Sequence, residues 1–429
     1  MIKFKKLWLT AAIFLAGSAT LANNKVAAAD TLEPAINQQA RQIAGKDNGF
    51  ASGTTGGFQA DTKHTFVVRN REQLVKALKK NKNGEDLLIV VDGKINMNAD
   101  SQGRELTADD YADPDYNLPD YLKAYDPQNW GYDKVPSGKL EEARYRSQKN
   151  QNKQITVNIP SNTTIFGINN AAIDGGNLNL KNSTNIIIRN ISFETPYDFF
   201  PQWDPTDDEF GNWNSEYDSI TIKGAQKVWL DHNYFTDGKH PDSESEKYFG
   251  RKYQHHDGVM DIVNGADYIT ISNSKITNHD KTMLIGNSDS KTSDRGKLHV
   301  TLNDNIFEDI VQRQPRVRFG QVHLFNNYFT NTNQSGYQAK YIIGAGFESQ
   351  VLAENNAINI AKMKQKNIIK NFKATNLTMK QTLFNDHLLL DNGIEQGFNP
   401  VTWQPPYNYV LKDTQTIEAS TTSNAGPIL

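Results

Sequence analysis

The sequence predicts an all-β chain wound as a stacked solenoid, and three observations carry that prediction. From about residue 160 onward, short β-branched runs alternate with turns rich in Asn, Gly and Asp, while long stretches of helical period are scarce. The runs share one pattern, strand then Asn then apolar or aromatic residues, at 185–193, 228–235, 268–276, 300–307 and 322–329. Aligned on Asn190, Asn233, Asn273, Asn305 and Asn327, they repeat with a shortest spacing of 22 residues, and the longer spacings carry inserts. A period of roughly 20 to 50 residues marks units that bury their apolar faces only by stacking. Five Asn in one frame are expected to ladder through equivalent turns while Ile, Val and Phe stack inside.

The other elements follow in chain order. Lys3, Lys5 and Lys6, an apolar run over 7–16 and the small residues Ala27-Ala28-Ala29 read as a secretory leader, residues 1–29, although a cut after Ala22 fits as well. Gly17, Ser18 and Thr20 interrupt the apolar run short of the ~20 residues of a membrane span. Residues 65–98 read as an N-terminal cap, helical from Arg71 to Lys80 and a buried strand from Leu87 to Val91. Residues 99–155, rich in Asp, Tyr and Asn, read as a surface insert with one solvated helix near Lys139. Inserts at 198–217 and 238–256 are expected to project from the same side of the coil, where solenoids build sites. The last thirty-odd residues, with Trp403, Pro405, Pro406 and Tyr407, lack a period and are expected to lie along the coil as an ordered tail. Residues 30–429 are thus expected to form one domain.

Composition narrows the partners. Hydrophobic residues make up 37% of the 429, enough for a packed core and too few for a multi-span membrane protein. A net charge of −3 leaves no basic excess to neutralise a nucleic-acid backbone. Without cysteine, an exported chain has no disulfides and draws its stability from core size, hydrogen bonds or a bound metal.

The most informative stretch is Asp257-Gly-Val-Met-Asp261, with Glu216-Tyr-Asp218 on the preceding coil. Stacking brings these carboxylates together, and an oxygen set without a His or Cys cluster suits a hard cation such as calcium rather than zinc. Alone, Asp-x-x-x-Asp is more often turn decoration; its neighbours lift it. They are Trp229-Leu-Asp-His232, His279-Asp-Lys-Thr-Met-Leu-Ile-Gly286 with Ser288-Asp289, and Arg313-Gln-Pro-Arg-Val-Arg318.

In that order and spacing, these segments resemble the signatures of family 1 polysaccharide lyases, the pectate lyases. The resemblance runs from Gly53-Thr-Thr-Gly-Gly57 to Ala425-Gly-Pro427, and only the 99–155 insert looks individual. It implies a right-handed, single-stranded parallel β-helix with an N-terminal helical cap and long loops on one face. It further implies a secreted, extracellular, monomeric enzyme cleaving polygalacturonate by calcium-assisted β-elimination. By position, Asp218, Asp257 and Asp261 become primary calcium ligands, with Glu216 a further candidate. Arg313 becomes the catalytic base, and Lys281 and Arg318 bind substrate carboxylates. Trp229, Asp231 and His232 match a signature but are assigned to packing and hydrogen bonding.

The residue types fit the chemistry. Removing the C5 proton of a galacturonate loads charge onto an already anionic carboxylate, so neutralisation is the main need. Arginine is the difficult base, since its pKa of about 12.5 to 13.8 keeps it protonated. Activity on the alkaline side of neutral is therefore expected, and the alternative is that Arg313 anchors a carboxylate while hydroxide takes the proton. A glycoside hydrolase on the same solenoid would need two carboxyl groups facing across a cleft, and Asp257 and Asp261 are its candidate pair. A pectin lyase acting on neutral esters would have little use for a carboxylate-rich cation site. A non-catalytic polysaccharide-binding β-helix is open on fold alone.

Overall fold

A computed structural model describes residues 27–28, 32–333, 336–390 and 397–429. The leader, apart from Ala27 and Ala28, lies outside the described residues. Each coil contributes one strand to each of three parallel sheets. In one coil these are Ile220–Lys223, Gln226–Asp231 and Tyr234–Thr236; in the next, Met260–Val263, Asp267–Ser272 and Lys275–Lys281. Successive coils pair in register, Ile220 with Met260, Val228 with Ile269 and Phe235 with Ile276. This is a parallel β-helix, as expected.

Register explains the β-branched runs. Ile186, Val228, Ile269, Val300, Val322 and Val351 occupy one row of paired positions and are all fully buried. Similar β-branched shapes stack one strand spacing apart in the interior, and each such side chain contributes roughly 1.5 to 3 kcal/mol of burial. The aromatic positions stack likewise: Phe193 lies on Phe235 at 4.9 Å, and Phe307 on Phe329 at 5.0 Å.

The expected Asn ladder is present, but its membership differs. Asn233, Asn305 and Asn327 belong to it, joined by Ser274 and Asn356. Asn305 Nδ2 donates to the Ile271 carbonyl and to Asn327 Oδ1, both at 3.0 Å, and all three Asn are buried. Asn190 and Asn273 stand one residue earlier, in a second row with His232, Asp304, Asn326 and Asn355, all at positive φ. That left-handed position turns the chain between two sheets and favours Asn, whose side chain tolerates it. The outer row holds the tail: Asn190 Oδ1 accepts from Ile428 N (2.6 Å), Asn326 bonds Val410 and Lys412, and Asn355 donates to Lys412 O. The tail is thus ordered along the coils, as expected.

The cap is also as expected. A helix at Arg71–Leu78, with Asn70 Oδ1 accepting from Gln73 N, places Leu74, Ala77 and Leu78 over the end of the core beside the strand Leu87–Asn96.

The 99–155 insert is more than one solvated helix. It holds short helices at Ala108–Tyr111, Leu118–Ala124 and Pro127–Trp130 and a long one at Lys139–Ile155. The long helix buries Glu141, Arg144, Gln148, Gln151 and Ile155, a stripe at helical spacing made almost wholly of polar groups. These bond the loop 197–200: Arg144 to Phe200 O (2.7 Å), Gln148 to Asp198 Oδ2 (2.9 Å) and Gln151 to Tyr197 O (2.6 Å). Its neighbours Tyr121 and Tyr125 pack with Trp203, Trp213 and Tyr253 from the other two inserts. The three inserts therefore make one wall on one side of the coils.

Candidate active site

The site forms where this wall meets the sheet that holds Ile220–Lys223 and Met260–Val263. Asp218 lies two residues before the strand Ile220–Lys223, and Asp261 sits on the next coil, paired with Thr221 and Leu284. Asp218 Oδ1 accepts from Gly258 N (3.1 Å) and its Oδ2 from the Thr221 hydroxyl (3.0 Å), while Asp261 Oδ1 accepts from Leu284 N (3.2 Å). A Cβ at Gly258 would stand 2.6 Å from Asp218 Oδ1 and 3.0 Å from Asp261 Oδ1, so both carboxylates face the space a side chain there would fill.

Their electrostatics follow from that convergence. Burial, with the charges of Asp261 and Asp257, pushes the Asp218 carboxyl well above its ordinary range. Burial and then Asp257 push Asp261 up to about 7, against the pull of Arg313 and Lys281. Facing carboxylates, one buried and one half-buried, resist double ionisation, and a hard cation between them would reverse this.

Asp257 is near enough to raise both carboxyls, and it also pairs with a cation. Its Oδ1 lies 3.2 Å from Lys281 Nζ, and Glu216 is solvent-exposed at the edge. Among the described residues, no three Asp, Glu, His or Cys side chains are arranged to hold an ion unaided. The donor chemistry still fits calcium, which takes six to eight oxygens and accepts water or a ligand's carboxylate to complete them. His255 and His256 do adjoin Asp257, contrary to the expectation of no histidine cluster, but their rings turn inward: His255 Nδ1 meets Asp198 O at 2.6 Å, and His256 Nδ1 meets Pro196 O at 2.9 Å.

Lys281 ends the strand Lys275–Lys281, opposite Gln312, so Arg313 lies one residue beyond that pairing. Arg313 adopts φ 61°, its carbonyl accepts from Met283 N and the Thr282 hydroxyl, and its Nε is buried without a hydrogen-bond partner. Its guanidinium meets the Tyr341 hydroxyl, and its charge acts on Asp261.

Lys281 and Arg313 line a cleft of about 540 Å³ together with Lys247, Arg251, Lys252, Lys340 and Lys370, against only Asp207, Asp208 and Asp280. Five of these seven cations were missed in the sequence. Lys247, Arg251 and Lys252 come from one hairpin of the 238–256 insert and Lys340 and Lys370 from two later segments, and only the fold gathers them. Arg318 is not among the cleft-lining residues: its Nε donates to Asp289 Oδ1 (2.9 Å), and Lys373 Nζ donates to Asp289 Oδ2 (2.8 Å). Trp229 and Asp231 serve packing and hydrogen bonding, as expected, through Ser272 and Arg189 on the sheet that holds Gln226–Asp231.

Comparison with known proteins decides the family. Residues 136–427 match the pectate lyase family model. A pectate lyase of Bacillus subtilis is 45% identical over 428 residues, 98% of this chain and 99% of its own length. The chain belongs to the pectate lyase family. Pectate lyase E of Dickeya chrysanthemi is 38% identical over 66% of this chain and 72% of its own. Solved structures agree: a Bacillus subtilis pectate lyase point mutant and a pectate lyase bound to a hexasaccharide each superpose with a TM-score of 0.88 at 46% identity, over 90% of this chain and 98% of theirs. This member of the pectate lyase family is therefore a polysaccharide lyase, and the hydrolase and non-catalytic alternatives fall away.

Proposed function

We propose that the chain cleaves α-1,4-linked polygalacturonate by calcium-assisted β-elimination, releasing 4,5-unsaturated oligogalacturonates. The observation that carries this is the cleft itself, six cations leading to a seventh, Arg313, whose charge acts on Asp261 of the facing Asp218–Asp261 pair. A polyanion is what such a surface attracts, and the relative solved with a hexasaccharide supports a glycan there.

Asp218, Asp257 and Asp261 hold the calcium. The ion, when bound, supplies positive charge to the uronate carboxylate and so acidifies C5. Lys281 adds a charge to that carboxylate from the cleft wall, and Arg318 does so by exchanging its bond to Asp289. Arg313 takes the C5 proton; the electron pair then expels the C4 oxygen, leaving a C4–C5 double bond and consuming no water. The mature protein is read as one exported, monomeric domain over residues 30–429, with neither nucleic acid nor membrane as partner.

The test follows the ultraviolet absorbance of the new double bond on polygalacturonate, with calcium or with EDTA. A calcium-dependent rise is expected, reduced by roughly 10² to 10⁴ in Arg313→Ala. New reducing ends without absorbance, an EDTA-insensitive rate or a rate maximum at mildly acidic pH would contradict the mechanism.

A further inference from the structure

Behind the site lies a buried polar network outside the mechanism above. Asp237 and His279 are each about 1% exposed. His279 Nδ1 bonds Asp237 Oδ1, and its Nε2 lies 3.0 Å from the Asp257 carbonyl. Asp237 is fixed in turn by the Thr195 hydroxyl on Oδ1 (3.0 Å) and the Tyr337 hydroxyl on Oδ2 (2.7 Å). His279 and Lys281 stand two apart on one strand, so that strand grips Asp257 twice, by its carbonyl through His279 and by its carboxylate through Lys281. The preceding residues are clamped as well, His255 to Asp198 O and His256 to the Thr195 hydroxyl and His240 O.

We propose that His279, oriented by Asp237, is a positioning residue: it fixes the main chain at Asp257 and thereby the placement of the carboxylates of Asp257 and Asp261 and of the Gly258 N–H that holds Asp218. A buried ion pair is a costly way to fill core space. This one is aimed at a single carbonyl, in the segment that carries two of the three candidate ligands. The second ring nitrogen of a histidine tied to a carboxylate is a familiar way of setting ligand geometry one bond removed; here the geometry set is that of the backbone between ligands. The inference rests on the calcium reading of Asp218, Asp257 and Asp261.

The test is a calorimetric calcium titration of the mature protein without substrate, alongside kcat at saturating calcium and polygalacturonate. His279→Leu removes both bonds, and His279→Gln keeps an N–H able to reach the carbonyl. The Leu variant is expected to weaken calcium binding by roughly 10- to 100-fold, with kcat at saturation near wild type, and the Gln variant to recover most of the affinity. Wild-type affinity in a folded Leu variant, or equal loss in both, overturns the positioning role. If the Leu variant does not fold, Asp237→Asn, which keeps the volume, is read with the Gln variant, and wild-type affinity in both is overturning. Absence of calcium binding by the wild-type protein instead sinks the calcium reading, and this inference with it.

Discussion

Gly258→Ala is a small perturbation with a large expected effect. Gly258 has no positive φ, so the backbone accepts alanine, but the new methyl would lie 2.6 Å from Asp218 Oδ1 and 3.0 Å from Asp261 Oδ1. A comfortable carbon–oxygen contact is about 3.4 Å, so the Asp218 carboxylate must retreat by most of an ångström. It has little freedom to do so, because Gly258 N and the Thr221 hydroxyl hold its two oxygens. A displacement of that size at a preorganised site costs on the order of 10²-fold in rate, while overpacking costs about 1 to 3 kcal/mol of stability. The assay titrates calcium against the absorbance of unsaturated product, with the unfolding midpoint in EDTA measured alongside. Calcium half-saturation is expected to rise by roughly 10-fold or more in a protein that still unfolds cooperatively. A Gly258→Ala enzyme with the wild-type calcium curve would refute the assignment of Asp218 and Asp261 to one cation.

Three further outcomes are expected. Asn305→Ala should cost about 3 to 5 kcal/mol in urea unfolding, because it orphans the buried Ser274 N and Ile271 O; Asn326→Ala, which touches only the tail, should cost under about 2 kcal/mol. Equal costs would contradict the two-row turn. Arg144→Met should loosen the insert wall by about 3 kcal/mol, since it strips the buried Glu141 of its cation, and should lower activity while leaving the coils folded; unchanged near-ultraviolet dichroism and rate would contradict this. Burial lowers the His323 pKa against the pull of Glu354, to which it is bonded at 3.1 Å, while Tyr407 bonds its other nitrogen. Its contribution is therefore present above the unfolded value of about 6.5 and lost as pH falls through the folded pKa. Hydrogen-exchange protection at Tyr407 and Tyr409 should fall on acidification in the wild type and not in His323→Gln.

The coil was legible because its signal is local and repeated: β-branched residues in strands, Asn at turns and a near-constant spacing. The frame of the Asn was not. Asn326-Asn327 and Asn355-Asn356 put both rows side by side, and in single-Asn turns such as Asn190 or Asn233 nothing local says which row is occupied. The polar stripe of the Lys139–Ile155 helix was hidden for a related reason. Hydropathy reads Glu141, Arg144, Gln148 and Gln151 as solvated, and only the 197–200 loop makes them an interior.

The site divides the same way. The sequence by itself determined the parallel coil, its cap and tail, and the residue types at Asp218, Asp257, Asp261, Lys281 and Arg313, because each sits in a motif bound to a repeating unit. Only the tertiary structure decided that Asp218 and Asp261 share one space across coils, with Asp257 beside them and also paired with Lys281. It alone gathered Lys247, Arg251, Lys252, Lys340 and Lys370 into one cleft and tied Arg318 to Asp289. Those outcomes depend on the register between coils and on where long inserts fold back, and neither is encoded within the span of any single motif.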